Sequence, residues 1–428
     1  MALALTLFLV FLFLLAIGFP ISFAMALSTI VALIMGSYTP EVFSLMLVEG
    51  VKGYTLLSIP LFILAGNLMN SAGITHRIFN FATAMMGHIR GGLAQVNILS
   101  SVIFAGISGT AVGDQAGLGA IQMKAMADKG YEKPFSAGLT LASSVIGGII
   151  PPSVSLIIYS YLAEVSVEQA FMAGIVPGLL IALTLSVYVF IGSKRGTIIT
   201  PEPEPFELKN LLLTLKDGFF ALLAPAVILG GMMGGVVTPT EAAAIAVIYA
   251  LFCAIVYKEL KWDSLKKGFV ESIGSTALIM FLIGVGTAMG WIISAEQIPY
   301  LLSDVLLGLT ENKYTMLLII NIMLLFLGMI MEGIPIKLIV LPILLPIIDS
   351  LGIDRVHFGI VMSYNLLIGM ATPPVGLGLY VLSRVGKISF ESIVKAILPM
   401  YVPLFVALLL ITYFPQLSLW LPNLLSGK

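Results

Sequence analysis

Apolar runs long enough to cross a bilayer recur along almost the whole chain, near 2–18, 20–36, 56–71, 134–163, 170–192, 218–236, 239–257, 270–293, 356–383 and 397–415. A crossing helix needs about 20 apolar residues, so the pattern fits on the order of ten membrane elements. It predicts an all-α integral membrane protein. Composition closes the alternatives: of 428 residues, 59% are hydrophobic and 10% charged, whereas a soluble domain keeps about 25% charged residues to hydrate its surface. A nucleic-acid binder, a secreted disulfide scaffold and a cytosolic enzyme are thereby excluded. The net charge of −1 offers nothing to a polyanion, and the lone Cys253 lies in an apolar run, which excludes disulfides and thiolate metal sites. No Lys or Arg lies between Met1 and Ile17, so the start reads as a retained helix and not a cleaved signal peptide.

Two further apolar stretches, 91–126 and 314–350, are interrupted at mid-length by glycine and polar residues. The first break runs from Gly106 through Ser108, Gly109 and Thr110 to Asp114; the second runs from Gly328 through Glu332 and Gly333 to Pro335. With arms on the order of 12–15 residues, short for a full crossing, both stretches are expected to be re-entrant hairpins. The segment 193–217 is the extended hydrophilic connection. Its Pro201-Glu202-Pro203-Glu204-Pro205 alternation cannot be helical and predicts a stiff linker.

A midpoint linker invites a search for repeats. Pro-Pro occurs at Pro151-Pro152 and Pro373-Pro374, an offset of 222 (373 minus 151), and the same offset carries Phe104 onto Phe326, Gly106 onto Gly328, Gly130 onto Gly352, Gly147 onto Gly369 and Pro177 onto Pro399. The chain reads as a duplication of 1–192 and 218–428 about the 193–217 linker. The first half holds the hairpin 91–126 and a broken helix 134–163; the second holds the hairpin 314–350 and a broken helix 356–383. Charges set their orientation. Arg77, Arg90, Lys124, Lys129 and Lys133 have counterparts among Glu296, Asp304, Glu311, Asp349 and Asp354, and the sign reverses between Glu164, Glu168 and Arg384, Lys387. Because Lys- and Arg-rich loops stay cytoplasmic, equivalent loops are expected on opposite sides, which is an inverted-topology repeat with a cytoplasmic linker. Inverted repeats with broken helices are a transporter architecture.

At the breaks, backbone groups lose their helical partners, and proline both removes an N–H and disfavours helix in the residue before it. Carbonyls near Gly147, Ile150, Gly369 and Thr372 are expected to be free as hard ligands for a small cation, while the restarting helices offer N–H groups to an anion. Asp114 and Glu332 are intramembrane acids and hence functional candidates. Ser143, Ser144 and Asn365 could face a substrate or bond back to their own helices. Asn67 and Asn97 read as helix glue, Lys337 could neutralise Glu332, and His76, His88 and His357 are expected in loops. Enzyme motifs fare poorly. H-E-x-x-H and a Walker lysine are absent, and Ala111-Val112-Gly113-Asp114 matches an intramembrane aspartyl protease only in part.

Pro60-Leu61-Phe62-Ile63-Leu64-Ala65-Gly66, Gly91-Gly92-Leu93-Ala94-Gln95-Val96-Asn97, Ser108-Gly109-Thr110 with Asp114, Ile150-Pro151-Pro152-Ser153 and Thr372-Pro373-Pro374-Val375-Gly376 are together similar to the large membrane subunit of tripartite ATP-independent periplasmic (TRAP) transporters. The resemblance covers essentially the whole chain. It implies a multi-pass importer of the bacterial inner membrane, driven by a sodium gradient, with a small four-helix membrane subunit and a periplasmic substrate-binding protein that delivers an organic acid. The small subunit is expected as a separate chain. The resulting expectation is an elevator-type transporter in which a domain holding both hairpins and both Pro-Pro helices slides against a scaffold. One Na+ site would use Gly106, Ser108, Gly109, Gly147, Ile150 and Ser153, and the other Gly328, Glu332, Gly369, Thr372 and Val375. The organic anion would lie near Ser108, Thr110, Ser143, Asn365 and Thr372. A self-sufficient sodium–carboxylate symporter is the rival reading, with an intramembrane enzyme and a channel further off.

Overall fold

A computed structural model describes residues 2–203 and 205–426; Met1 and, within the linker, Glu204 lie outside the described residues. The first part of the chain forms α1 (Ala2–Ala16), α2 (Ile21–Met35), α3 (Glu41–Val51), α4 (Ser58–Ser71), α5 (Ile74–Met86), α6 (Leu93–Ser108), α7 (Ala111–Ala116), α8 (Leu118–Asp128), α9 (Lys133–Ser144), α10 (Val154–Ala163) and α11 (Val167–Arg195). The second part forms α12 (Leu208–Met233), α13 (Pro239–Val256), α14 (Trp262–Ala295), α15 (Ile298–Leu309), α16 (Lys313–Ile330), α17 (Gly333–Ser350), α18 (Arg355–Met370), α19 (Leu377–Gly386), α20 (Phe390–Ile397), α21 (Tyr401–Tyr413) and α22 (Gln416–Ser426). The described residues contain no strand, and 8 helical segments among them are long and apolar enough to cross a membrane. Apolar side chains such as Leu183, Leu212, Ile248 and Phe326 are exposed on these helices, the pattern of a surface solvated by lipid.

Element starts follow from local chemistry. Thr238 accepts from the Glu241 N–H while the Glu241 carboxylate accepts from the Thr238 N–H, a capping box that opens α13. Asp354 accepts from the N–H groups of Val356 and His357 and opens α18. Backbone conformations recur between the two parts: Gly130 and Gly352 are both left-handed, as are Glu164 and Lys387, which end α10 and α19. The 134–163 and 356–383 runs are each broken, and both Pro-Pro bonds are cis.

Three expectations need correction. The linker is shorter than 193–217, because α11 continues to Arg195 and α12 begins at Leu208. The arms of the second stretch are not short: α16 and α17 have 18 residues each and reach crossing length. His76 and His357 are helical, in α5 and α18, and His357 is buried between Ser418 and the Thr412 carbonyl.

Packing divides the helices around one space. The 34-residue α14 runs alongside α2, α3 and α4, and α4 also packs against α13. Across from them, α16 packs on α18, and α10 packs on both α17 and α18. Glycine allows the closest approaches. A Cβ at Gly50 of α3 would collide with Thr287 of α14, and one at Gly174 of α11 would collide with the Ile149 carbonyl.

Candidate functional site

Helix α6 stops at Ser108 because Gly109 turns left-handed (φ 67°) and Thr110 is extended; the Thr110 hydroxyl accepts the Gly113 N–H (3.1 Å) and starts α7. The Gly109 carbonyl accepts the N–H of Val154 (3.1 Å), which ties this break to the restart after Pro151-Pro152. The second half repeats the tie: the Met329 carbonyl accepts the N–H groups of Val375 (3.2 Å) and Gly376 (3.1 Å). Both breaks thereby reach one cavity of about 450 Å³, where Ser108, Gly109, Thr110 and Gly113 face it with Glu332 and Gly333. The opposite wall comes from α4 and α14, with Asn67, Asn70, Ser275 and Leu278.

Behind the first break lies a buried acid. The Ser108 hydroxyl donates to Asp114 Oδ1 in a very short contact, while Asp114 Oδ2 is buried with no hydrogen-bond partner. Gly147 closes over that carboxylate so tightly that a Cβ there would land on it. An unpartnered carboxylate oxygen inside a protein is costly, and either a proton or a small cation would satisfy it. Among the described residues no three His, Cys, Asp or Glu side chains come together, so a cation here would rest on Asp114 with hydroxyl and carbonyl oxygens, a hard-oxygen set. Ser108, Asp114 and Gly147 fit it.

The other residues expected as ligands have the following neighbours. Gly106 faces Pro225 of α12, and Ile150 packs against Gly178 of α11. The Ser153 hydroxyl donates to the Gly148 carbonyl (2.7 Å) and accepts the Leu156 N–H, which caps α10. In the second half Gly328 and Gly369 meet backbone to backbone, and the Gly369 carbonyl, expected to be free, accepts the Thr372 N–H (2.8 Å). Thr372 donates its hydroxyl to the Ile368 carbonyl (2.7 Å), and Val375 donates its N–H to the Met329 carbonyl. The repeat offset places Ile336 where the first half has Asp114, and Glu332 where it has Thr110. The two cradles are chemically unequal.

Three expected substrate contacts, Ser143, Asn365 and Thr372, do not line the cavity. Ser143 is fully buried, donating to Asn97 Oδ1 (2.7 Å) and accepting from Ser101. Asn365 donates to the carbonyl and side-chain oxygen of Asn321 (2.9 Å each), whose amide reaches Thr412. Both act as helix glue, as Asn97 does through Thr140. Asn67 bonds Ser272 and also lines the cavity. Lys337 does not pair with Glu332. Its Nζ donates to the Ser155 carbonyl (2.8 Å) and hydroxyl (2.5 Å) and to the Ser363 hydroxyl (2.8 Å). Sequence reasoning missed Asn70, Ser155, Ser275 and Ser363 as lining residues; the signal available for Ser155 was its place in the first turn of the helix that restarts after Pro-Pro.

The family model described as the DctM component of tripartite ATP-independent periplasmic transporters matches residues 8–417. The chain is 42% identical over 413 residues to a Vibrio cholerae protein named sialic acid TRAP transporter large permease protein SiaM, covering 96% of each. It is 39% identical over 381 residues to the Pseudomonas aeruginosa C4-dicarboxylate TRAP transporter large permease protein DctM, covering 89% of each. In fold it is similar to the Alcanivorax borkumensis YdaH transporter, with a TM-score of 0.62, 14% identity, and coverage of 88% of this chain and 87% of that one.

Proposed function

This chain belongs to the DctM component family of tripartite ATP-independent periplasmic transporters, and from that premise we propose that it imports a small organic acid coupled to sodium. It is a multi-pass protein of the bacterial inner membrane. The acid would arrive on a periplasmic binding protein, and a small four-helix membrane subunit would steady the scaffold. The relatives named for sialic acid and for C4-dicarboxylates make both classes candidate substrates.

The observation that carries the reading is the unpartnered Asp114 oxygen held between Ser108 and Gly147 directly behind a cavity that both helix breaks reach. A bound sodium would supply positive charge there that offsets the charge of the entering acid. Thr110 and the N–H groups that open α7 and α17 would face the acid itself. In this reading 91–126 and 314–350 each double back at their break, the second on longer arms than the first, as hairpins of an inverted repeat, and the break-bearing elements slide as an elevator past α4 and α14.

Uptake into liposomes tests it. With the chain, its small subunit and a loaded binding protein present, an inward sodium gradient should drive accumulation of labelled N-acetylneuraminate or succinate. Equal uptake with choline in place of sodium would remove the coupling. Full uptake without the binding protein would instead mark a self-sufficient symporter.

A further inference from the structure

One end of the break-bearing body, the end that the charge pattern assigns to the cytoplasm, carries cations from both halves of the chain. Around α8 and α9 stand Lys124, Lys129 and Lys133 with Asp128 and Glu132, and around α19 and α20 stand Arg384, Lys387 and Lys395 with Glu391, six cations against three carboxylates. Packing makes them one surface, because α19 lies on both α8 and α9, and α20 lies on α9. The joins are close. A Cβ at Gly386 would stand 3.3 Å from the sulfur of Met123, next to Lys124, and one at Gly138 would stand 3.2 Å from the backbone of Ala396, next to Lys395. Lys124, Lys133, Arg384, Lys387 and Lys395 are exposed, and among the described residues none of these five forms an ion pair. Away from this surface the pattern differs: Arg77 pairs with Asp217 (3.5 Å), Lys261 with Glu259 (3.8 Å) and Lys267 with Glu271 (3.8 Å).

What these cations border decides the partner. Lys395 belongs to the segment 390–413, which is long and apolar enough to cross a membrane. After it, Leu398, Val402, Val406 and Leu409 recur at helical spacing, with exposures of 53%, 65%, 45% and 45%. An exposed apolar stripe on a spanning segment is solvated by acyl chains. A lipid whose chain lies on that stripe holds its headgroup level with Lys395, and a lysine at a helix end reaches toward that level. Unpaired cations there attract the anionic lipids of the cytoplasmic leaflet. A soluble polyanion would find the charges but have no use for the stripe. We infer that this pole is a docking surface for an anionic phospholipid, its phosphodiester on Lys395 and the cations gathered around it, its acyl chain along Leu398 and Val402. The inference goes beyond the transport reading and takes from it only which side the pole faces and which body slides. The lipid therefore grips the moving part of the protein.

Native mass spectrometry of the purified full chain in detergent provides the test, with dioleoyl phosphatidylglycerol and dioleoyl phosphatidylcholine supplied at equal concentration. The two lipids share chains and phosphodiester, but choline cancels the charge of the second. Wild-type protein should carry several-fold more phosphatidylglycerol. Joint replacement by Lys133→Gln, Lys387→Gln and Lys395→Gln should cut that preference about fivefold or more, the size expected when lysines are lost from an anionic surface. The same three positions changed to Arg should keep it, since charge and not shape is at issue. Lys261→Gln, Lys266→Gln and Lys267→Gln together remove equal charge from the start of α14 and should also keep it. No preference in the wild type overturns the assignment, as does a preference that survives in the first glutamine variant or falls equally in the α14 variant. Displacement of the lipid by glycerol 3-phosphate, a headgroup without chains, would mark a site for soluble anions and overturns it too. None of these readouts involves transport, so sodium-driven uptake by the wild type leaves the transport reading standing whichever result is found.

Discussion

Gly147 and Gly369 hold equivalent places 222 residues apart, yet different neighbours confine them. At Gly147 the neighbour is the Asp114 carboxylate, and at Gly369 it is the backbone of Gly328, with atoms 2.6 and 2.7 Å from where a Cβ would stand. Gly147→Ala should therefore displace a functional group, raising the sodium concentration for half-maximal uptake with little change in unfolding midpoint. Gly369→Ala should press two backbones apart and destabilise the fold by about 1–3 kcal/mol, as overpacking does. Paired uptake and thermal measurements separate the two, and equal loss of stability in both variants would refute the distinction. The glycine positions could be read from the repeat, but their partners could not, because each contact joins segments dozens of residues apart. Ser363 and Asn365 show a second limit. Two residues apart on a helix, they point to nearly opposite faces, and nothing in the sequence says which face meets the cavity. The structure gives that place to Ser363 and turns Asn365 toward Asn321.

At the scale of elements, the breaks were legible because proline and glycine impose them wherever they stand, whatever the packing. Length was less legible. The arms α16 and α17 extend beyond the apolar core of each run, and the short helices α3, α5, α15, α20 and α22 fall in segments whose mixed polarity did not announce them. The inversion of the two halves remains a reading of charge, and labelling can decide it. Single cysteines replacing Glu164 and Glu311 should react with an impermeant thiol reagent in intact cells, and those replacing Lys129 and Lys209 should react only after permeabilisation. The native Cys253 is buried, so background should be low. Reaction at position 129 from outside would dismantle the inverted arrangement.

For the whole molecule, composition alone decided the solvent, since a chain this apolar needs lipid around it. What composition could not supply is the pairing of a break-bearing wall with a wall of α4 and α14 around one cavity, which arises from contacts between distant segments. Helix α14 carries a consequence of its own. Its 34 residues extend about 51 Å, against a hydrocarbon thickness of about 30 Å. Asp263, Lys266, Lys267 and Glu271 crowd its first third, yet the stretch after them is still about 36 Å long. A rod longer than its solvent layer must tilt or thicken the layer around it, so the wall that α14 builds is matched to a particular bilayer. Uptake should then depend on acyl-chain length, falling as the lipids are shortened from 18 to 14 carbons at constant headgroup, with rates indifferent to that change as the contrary result. The protein would work as a gauge of the membrane it sits in, its turnover set partly by hydrophobic mismatch.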